Sequence, residues 1–157
     1  GHFKEGMKRL ERNGMADILV DKVKNEKVPI FAICLGMQLL TTKSEEGNCK
    51  GLGLIDAETV KFNFSDKSLK IPHVGWNKLS FKTNNALFKN IEPINSYYFT
   101  HSYYVKCNNE KDILTSTNYG HDFVSAVNRE NIYGTQFHPE KSHRKGFQIL
   151  INFVKEI

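Results

Sequence analysis

The stretch Val28–Leu40, "VPIFAICLGMQLL", runs an apolar segment straight into a cysteine and, two residues later, a glycine. Its core "IFAI", Ile30–Ile33, follows Pro29 and has the continuous apolar character of a strand buried on both faces of a parallel sheet. Beyond Gly36, "MQLLTTKS" favours a helix. A cysteine at such a strand-to-helix junction, with Ala32 two residues before it and Gly36 two after, has the pattern of a nucleophile elbow. The turn is so sharp that backbone segments close on one another, which demands small residues on either side and lifts the Cys34 side chain clear of the sheet. The next helix would point its N-terminus at the sulfur and favour the reactive thiolate. A plainer reading, Cys34 as a small buried hydrophobe, stays open on these residues alone.

Working outward, Phe3, Met7 and Leu10 recur at helical spacing. After Gly14, Met15, Ile18, Leu19 and Val23 do the same, so two short helices precede the strand. Downstream of the "EEGNCKGLGL" loop the chain becomes rich in β-branched and aromatic residues. Strands are predicted at "AETVKF", "NSYYFTHSYYVKC", "ILTSTNY", "FVSAVNR" and "NIYGTQF", the last two as an antiparallel hairpin about Arg129–Asn131. Ser142 can cap a closing helix in which Phe147, Leu150, Ile151 and Val154 form an apolar stripe. Helix, buried strand and helix, succeeded by many strands, define an α/β fold: a layered mixed sheet flanked by helices.

A length of 157 residues fits one domain, residues 1–157, and 39% apolar with 25% charged residues is an ordinary globular balance. No apolar run is long enough to span a bilayer, so no membrane partner is expected. "GHFKEGMKRLERNG" lacks the apolar centre of a secretory signal. The three cysteines, Cys34, Cys49 and Cys107, are unpaired in spacing, which fits a reducing cytoplasm. The net charge of +5 comes from lysines dispersed among acids, a solvated surface rather than a nucleic-acid footprint.

A second decisive stretch is "YGTQFHPEKSH", Tyr133–His143. Residues two apart on an extended segment project to the same side, so Glu140 can hold the His138 imidazole in the tautomer that serves a thiol as general base and then acid. A surface turn closed by Pro139 is the bland alternative. No HxH or HExxH spacing is present, and His2, His73, His101, His121 and His143 are scattered, so no metal and no other cofactor is expected.

Taken in order, "AICLGMQLL", "IPHVGWNKL", "YYFTHSYYV" and "YGTQFHPEKS" resemble the class I, triad-type glutamine amidotransferases over essentially the whole chain. "PHVGWN" and "HSYY" resemble the branch that feeds imidazole glycerol phosphate synthesis in histidine biosynthesis. The resemblance implies Cys34 as nucleophile, His138 as base and Glu140 as orienting carboxylate, acting on glutamine to give glutamate and ammonia. It further implies Gln38, His101, Ser102 and Tyr103 as substrate-holding residues. His73, Trp76, Asn77 and Lys141 are implied to face a (β/α)-barrel cyclase, the heterodimer partner that consumes the ammonia. Without the company of the other motifs, "HSYY" would read as an aromatic strand and Trp76 as a core anchor.

Two other readings stand beside it: an ammonia-supplying subunit for a sugar-modifying synthase of surface polysaccharides, and a non-catalytic partner-binding fragment. The resemblance also implies that "GHFKEGMKRL" aligns partway into the family's domain, after strands and a Pro-Gly-x-Gly loop that supplies part of the oxyanion hole. The 157-residue chain alone is therefore expected to have little glutaminase activity.

Overall fold

The computed structural model describes all 157 residues. In chain order the elements are α1 (Phe3–Arg12), α2 (Met15–Lys24), β1 (Ile30–Ile33), α3 (Leu35–Leu39), β2 (Lys43–Ser44), β3 (Cys49–Lys50), β4 (Ala57–Lys61) and β5 (His73–Lys78). Then come β6 (Ser80–Phe81), β7 (Ser96–His101), β8 (Tyr103–Cys107), β9 (Ile113–Tyr119), β10 (His121–Arg129), β11 (Ile132–Thr135) and α4 (His143–Glu156). The main sheet has nine strands, with the path β1-β11-β10-β8-β4-β2-β3; β9 pairs β10 and carries β6. β1 pairs β11 and β2 pairs β4 in parallel, while the other ladders are antiparallel. β5 and β7 form a separate two-stranded ribbon. The expected mixed sheet is observed, and β10–β11 is the expected hairpin.

β1 differs in one respect from a strand buried on both faces. It lies at the end of the sheet path, with Ala32 buried and Ile30, Phe31 and Ile33 only partly so. Its register with β11 places Ile33 opposite Thr135. Parallel neighbours that end in step deliver their next residues, Cys34 and Gln136, to the same place.

Two apolar clusters pack the sheet. Phe62, Tyr97, Phe99, Phe123, Phe137 and Ile149 belong to one, and Ala32, Met37, Leu40, Val105, Val127 and Ile132 to the other. Gly134 lets α3 sit down on β11, because a Cβ there would stand 2.9 Å from Met37 Cγ. That close approach sets α3, and with it Cys34, tightly against β11.

Four expectations are corrected. The helix after Cys34 ends at Leu39 instead of running through "TTKS", because the Thr41 hydroxyl donates to Gln38 O at 2.8 Å and turns the chain into β2. "NSYYFTHSYYVKC" is two strands, not one. The break at Ser102 transfers the chain from the ribbon to the main sheet, where Phe62 N donates to Ser102 O. α4 buries Gly146, Ile149 and Asn152, leaving Phe147, Ile151 and Val154 exposed and Leu150 half-buried. Polar and steric anchors set that rotation. Asn152 Nδ2 donates to Leu87 O and Lys89 O, and Gly146 sits so close to Pro139 O that a Cβ would overlap it. Likewise on α2, Val23 is buried while Met15 and Ile18 remain exposed.

Candidate active site

Cys34 occupies the junction between β1 and α3 with φ +51° and ψ −107°, a conformation that L-residues rarely adopt. Such strain costs on the order of 1–3 kcal/mol and persists only where the surroundings enforce it. Here Cys34 N donates to Thr135 O at 2.7 Å, and Gln38 N donates to Cys34 O at 3.2 Å. The half-buried thiol points toward Thr100 O at 4.0 Å and accepts from Gln136 Nε2 at 3.5 Å. Burial pushes the thiol above its ordinary pKa, partly offset by the Leu35 N–H and the Gln136 amide, while the Glu140 carboxylate adds to the rise. Burial thus works against the thiolate that the N-terminus of a helix would favour. α3 has only five residues, and desolvation outweighs it.

His138 follows β11 and opens a short 3₁₀ turn, Pro139–Lys141. Its Nδ1 lies 2.6 Å from Glu140 Oε1. Since an ionised carboxylate only accepts, Nδ1 carries the proton, and in the neutral ring Nε2 is left as the base. The backbone is held at both ends: His138 N donates to Tyr98 O at 2.9 Å, and the Ser142 hydroxyl donates to His138 O at 2.6 Å while accepting from Tyr98 N. Ser142 does stand at the N-cap of α4, but its hydroxyl makes no bond into the helix and joins His138 to β7 instead. No hydrogen bond links Cys34 to His138.

A cavity of about 210 Å³ opens over the elbow, lined by Cys34, Gln38, Glu46, His101, Ser102 and Tyr103 among others. All four residues implied to hold substrate therefore gather beside the thiol. Gln38 is nonetheless buried, and its amide hydrogens are directed to Tyr103 O at 2.9 Å and Gln136 Oε1 at 3.0 Å. His101 is 5% exposed, and its Nδ1 donates to Tyr103 O at 2.8 Å. Its Nε2 accordingly accepts from His73 Nδ1 at 3.0 Å, and His73 Nε2 faces Asn77 Nδ2 at 3.5 Å. Burial drives both rings down, His73 to about 4 and His101 to about 3, so the pair is neutral near pH 7.

Glu46 and Gln136 escaped the sequence reading. Glu46 lies in an acidic loop that looks like any solvated turn. Gln136 could have been noticed as an uncharged polar residue two positions before a candidate base, directly after a strand that is fully buried.

The surface residues sort by strand alternation. Trp76 is 49% exposed, stacked flat on His143 at 4.9 Å and edge-on to Tyr98, with Val74 exposed beside it. His73, grouped with Trp76 on a docking face by the resemblance, is corrected: it is 4% exposed and turned to the interior. Asn77 shares that inward side and donates to Asn118 O. Lys141 is exposed next to Glu140.

Comparison with known proteins gives the class. The family model described as glutamine amidotransferase class-I matches residues 7–157. Solved structures agree in fold: one described as a glutamine amidotransferase superposes with a TM-score of 0.65 at 14% identity, covering 94% of this chain and 72% of that one. Another, from Thermotoga maritima, gives 0.60 at 15% identity, covering 94% and 57%. The chain belongs to the class I glutamine amidotransferase family. More specifically, it is 53% identical over 156 residues to the imidazole glycerol phosphate synthase subunit HisH 2 of Methanococcus maripaludis, covering 99% of this chain and 77% of that protein. It is 50% identical to subunit HisH of Leptospira borgpetersenii (98% and 76%), and 43% identical to HisH 2 of Pseudomonas aeruginosa (99% and 76%). It thus spans about three quarters of the length of these relatives.

Proposed function

We propose that this chain is the glutamine-hydrolysing subunit of an imidazole glycerol phosphate synthase, acting in histidine biosynthesis in the cytoplasm. The observation that carries the proposal is the strained Cys34 elbow beside a His138–Glu140 pair in a chain half identical to HisH subunits. Glutamine would enter the cavity with its ammonium group toward the Glu46 carboxylate and its backbone along Ser102 and Tyr103. His138 Nε2 takes the thiol proton and the sulfur attacks the carboxamide carbon. His138 then returns the proton to the nitrogen, ammonia leaves, and a thioester remains. Water activated by the same imidazole cleaves the thioester, releasing glutamate and restoring the thiol. Burial works against the thiolate, so the reading gives the base the task of taking the proton.

Ammonia released into water becomes ammonium and loses its nucleophilicity, so the product requires a protected route. A (β/α)-barrel cyclase docked around Trp76, Val74 and Lys141 would receive it and join it to a phosphorylated ribulosyl intermediate, giving imidazole glycerol phosphate and an aminoimidazole carboxamide ribotide. Exposed aromatics of this kind are enriched at such interfaces. Assay of the complex with glutamine and separately with ammonium salts tests the proposal. Cys34→Ala should abolish synthesis from glutamine and leave synthesis from ammonium intact. Equal loss of both would overturn it.

A further inference from the structure

We infer that Gln136 is a positioning residue for the Cys34 thiol, holding an amide N–H on the sulfur in an orientation dictated by the carbonyl of Tyr103. The inference rests on reading Cys34 as the nucleophile. Gln136 is fully buried, follows the β11 residue paired with Ile33, and directs Nε2 at Cys34 Sγ across 3.5 Å. It is not among the residues lining the cavity over the elbow, so it acts on the sulfur rather than on a bound amino acid.

An amide side chain can present either its oxygen or its nitrogen, and the bonds here decide between them. Tyr103 O, a backbone carbonyl, only accepts. The group 2.9 Å from it on Gln38 must therefore be the NH₂, and the second hydrogen of that NH₂ points to Gln136 at 3.0 Å. Gln136 must receive it through Oε1, which leaves Nε2 facing the sulfur. His101 Nδ1 donates to the same Tyr103 carbonyl, fixing the direction of the His101–His73 pair as well. One acceptor-only atom thus orients two amides and two imidazoles.

The consequence lies in the change of charge at sulfur. An N–H facing a neutral thiol makes a weak contact, whereas facing a thiolate it makes a charge-assisted bond. Gln136 therefore favours the ionised sulfur in a pocket whose burial disfavours it, and Gln38 prevents the amide from turning over.

Alkylation of Cys34 by iodoacetamide, followed by mass spectrometry of its peptide from about pH 7 to about pH 11, reads the ionisation directly and without turnover. In Gln136→Met the midpoint should rise by about one unit, and the rate near neutrality should fall about tenfold. Gln136→Glu, which keeps the acceptor for Gln38 but turns an oxygen to the sulfur, should raise it at least as far. Glutaminase activity of Gln136→Met in the complex should show a lowered kcat, an unchanged KM for glutamine, and recovery as pH is raised. Gln38→Met, which leaves Gln136 in place but frees its amide to rotate, should move the midpoint in the same direction and decides the matter if Gln136→Met does not fold. Unmoved midpoints in folded variants would overturn the inference. Failure of the nucleophile assignment would instead appear as glutaminase activity surviving Cys34→Ala.

Discussion

The two halves of the candidate site are built by opposite means. The thiol half is buried and strained: Cys34 sits at φ +51°, with Thr100 and Gln136 around its sulfur. The histidine half is shallow and relaxed, with His138 extended, its partner Glu140 exposed, and its backbone held by Tyr98 and Ser142. Neither half bonds to the other. The pair is thus assembled from two separately supported pieces that share only β1–β11 and the ribbon as a frame. Damage to one should leave the other in place.

The largest effect tests the thiol half. Cys34→Ala should lower glutamine hydrolysis in the complex by on the order of 10⁴-fold or more, as nucleophile removal does elsewhere, while a crystal structure of the variant retains the 2.6 Å contact of His138 with Glu140. Disorder of the His-Pro-Glu turn in that structure would show that the halves are not separate. Next, Glu140→Gln replaces an acceptor-only carboxylate with an amide that can equally donate, so the imidazole tautomer is no longer fixed, and kcat should fall by about 10²- to 10⁴-fold. Loss of a nearby negative charge should let Cys34 ionise slightly more easily, so a thiol titration that moves upward would contradict the arrangement.

Trp76→Ala removes no side chain that contacts the sulfur or the imidazole, although the indole packs on Tyr98. It should weaken association with the proposed partner subunit by about 2 kcal/mol, the level at which central aromatic anchors count, measured by calorimetry against an unchanged thiol titration. The smallest effect concerns the inner side of the ribbon. His101 and His73 are held near 3 and 4 against an ordinary 6.5, so on acidification the unfolded chain takes up protons first. Their contribution is therefore complete above about pH 6.5 and falls as pH drops toward 4, each costing on the order of 1–2 kcal/mol by pH 5. His101→Gln keeps a donor and an acceptor without the titration. Its urea midpoint should fall less between pH 7 and pH 5 than that of the parent; an equal fall would place the acid sensitivity elsewhere.

How much of this was legible in the sequence depended on whether the signal was local. "IFAICLG" and "HPE" carry their own geometry: an apolar strand ending in a thiol flanked by small residues, and an imidazole with a carboxylate two positions on. β9 coincides with the predicted "ILTSTNY". What failed was decided by partners distant in the chain. Nothing within "NSYYFTHSYYVKC" announces that Ser102 leaves one sheet for another, because the acceptor it offers serves Phe62. The apolar stripe of α4 suggested the wrong face because a glycine pressed against Pro139 and an asparagine bonded to Leu87 and Lys89 override it. His73 and Trp76 share one short motif, yet alternation sends the first to the interior and the second to the surface. Gln136 and Glu46 offered only a polar residue directly after a strand and an acid in a loop, whose neighbours appear once the chain is folded.

The Ser142 hydroxyl also has mechanical meaning. Tyr98 lies opposite Trp76 in the ribbon, and its own N–H and C=O are tied, one through that hydroxyl and one directly, to the two ends of His138. The indole on the surface and the imidazole at the thiol therefore hang from a single strut about one residue thick. A load applied at Trp76 would reach the base through Tyr98, as a tool clamped at its handle carries its edge to a known position. The sulfur faces the same strand two residues further on, at Thr100 O, so indole, imidazole and thiol are all referred to β7.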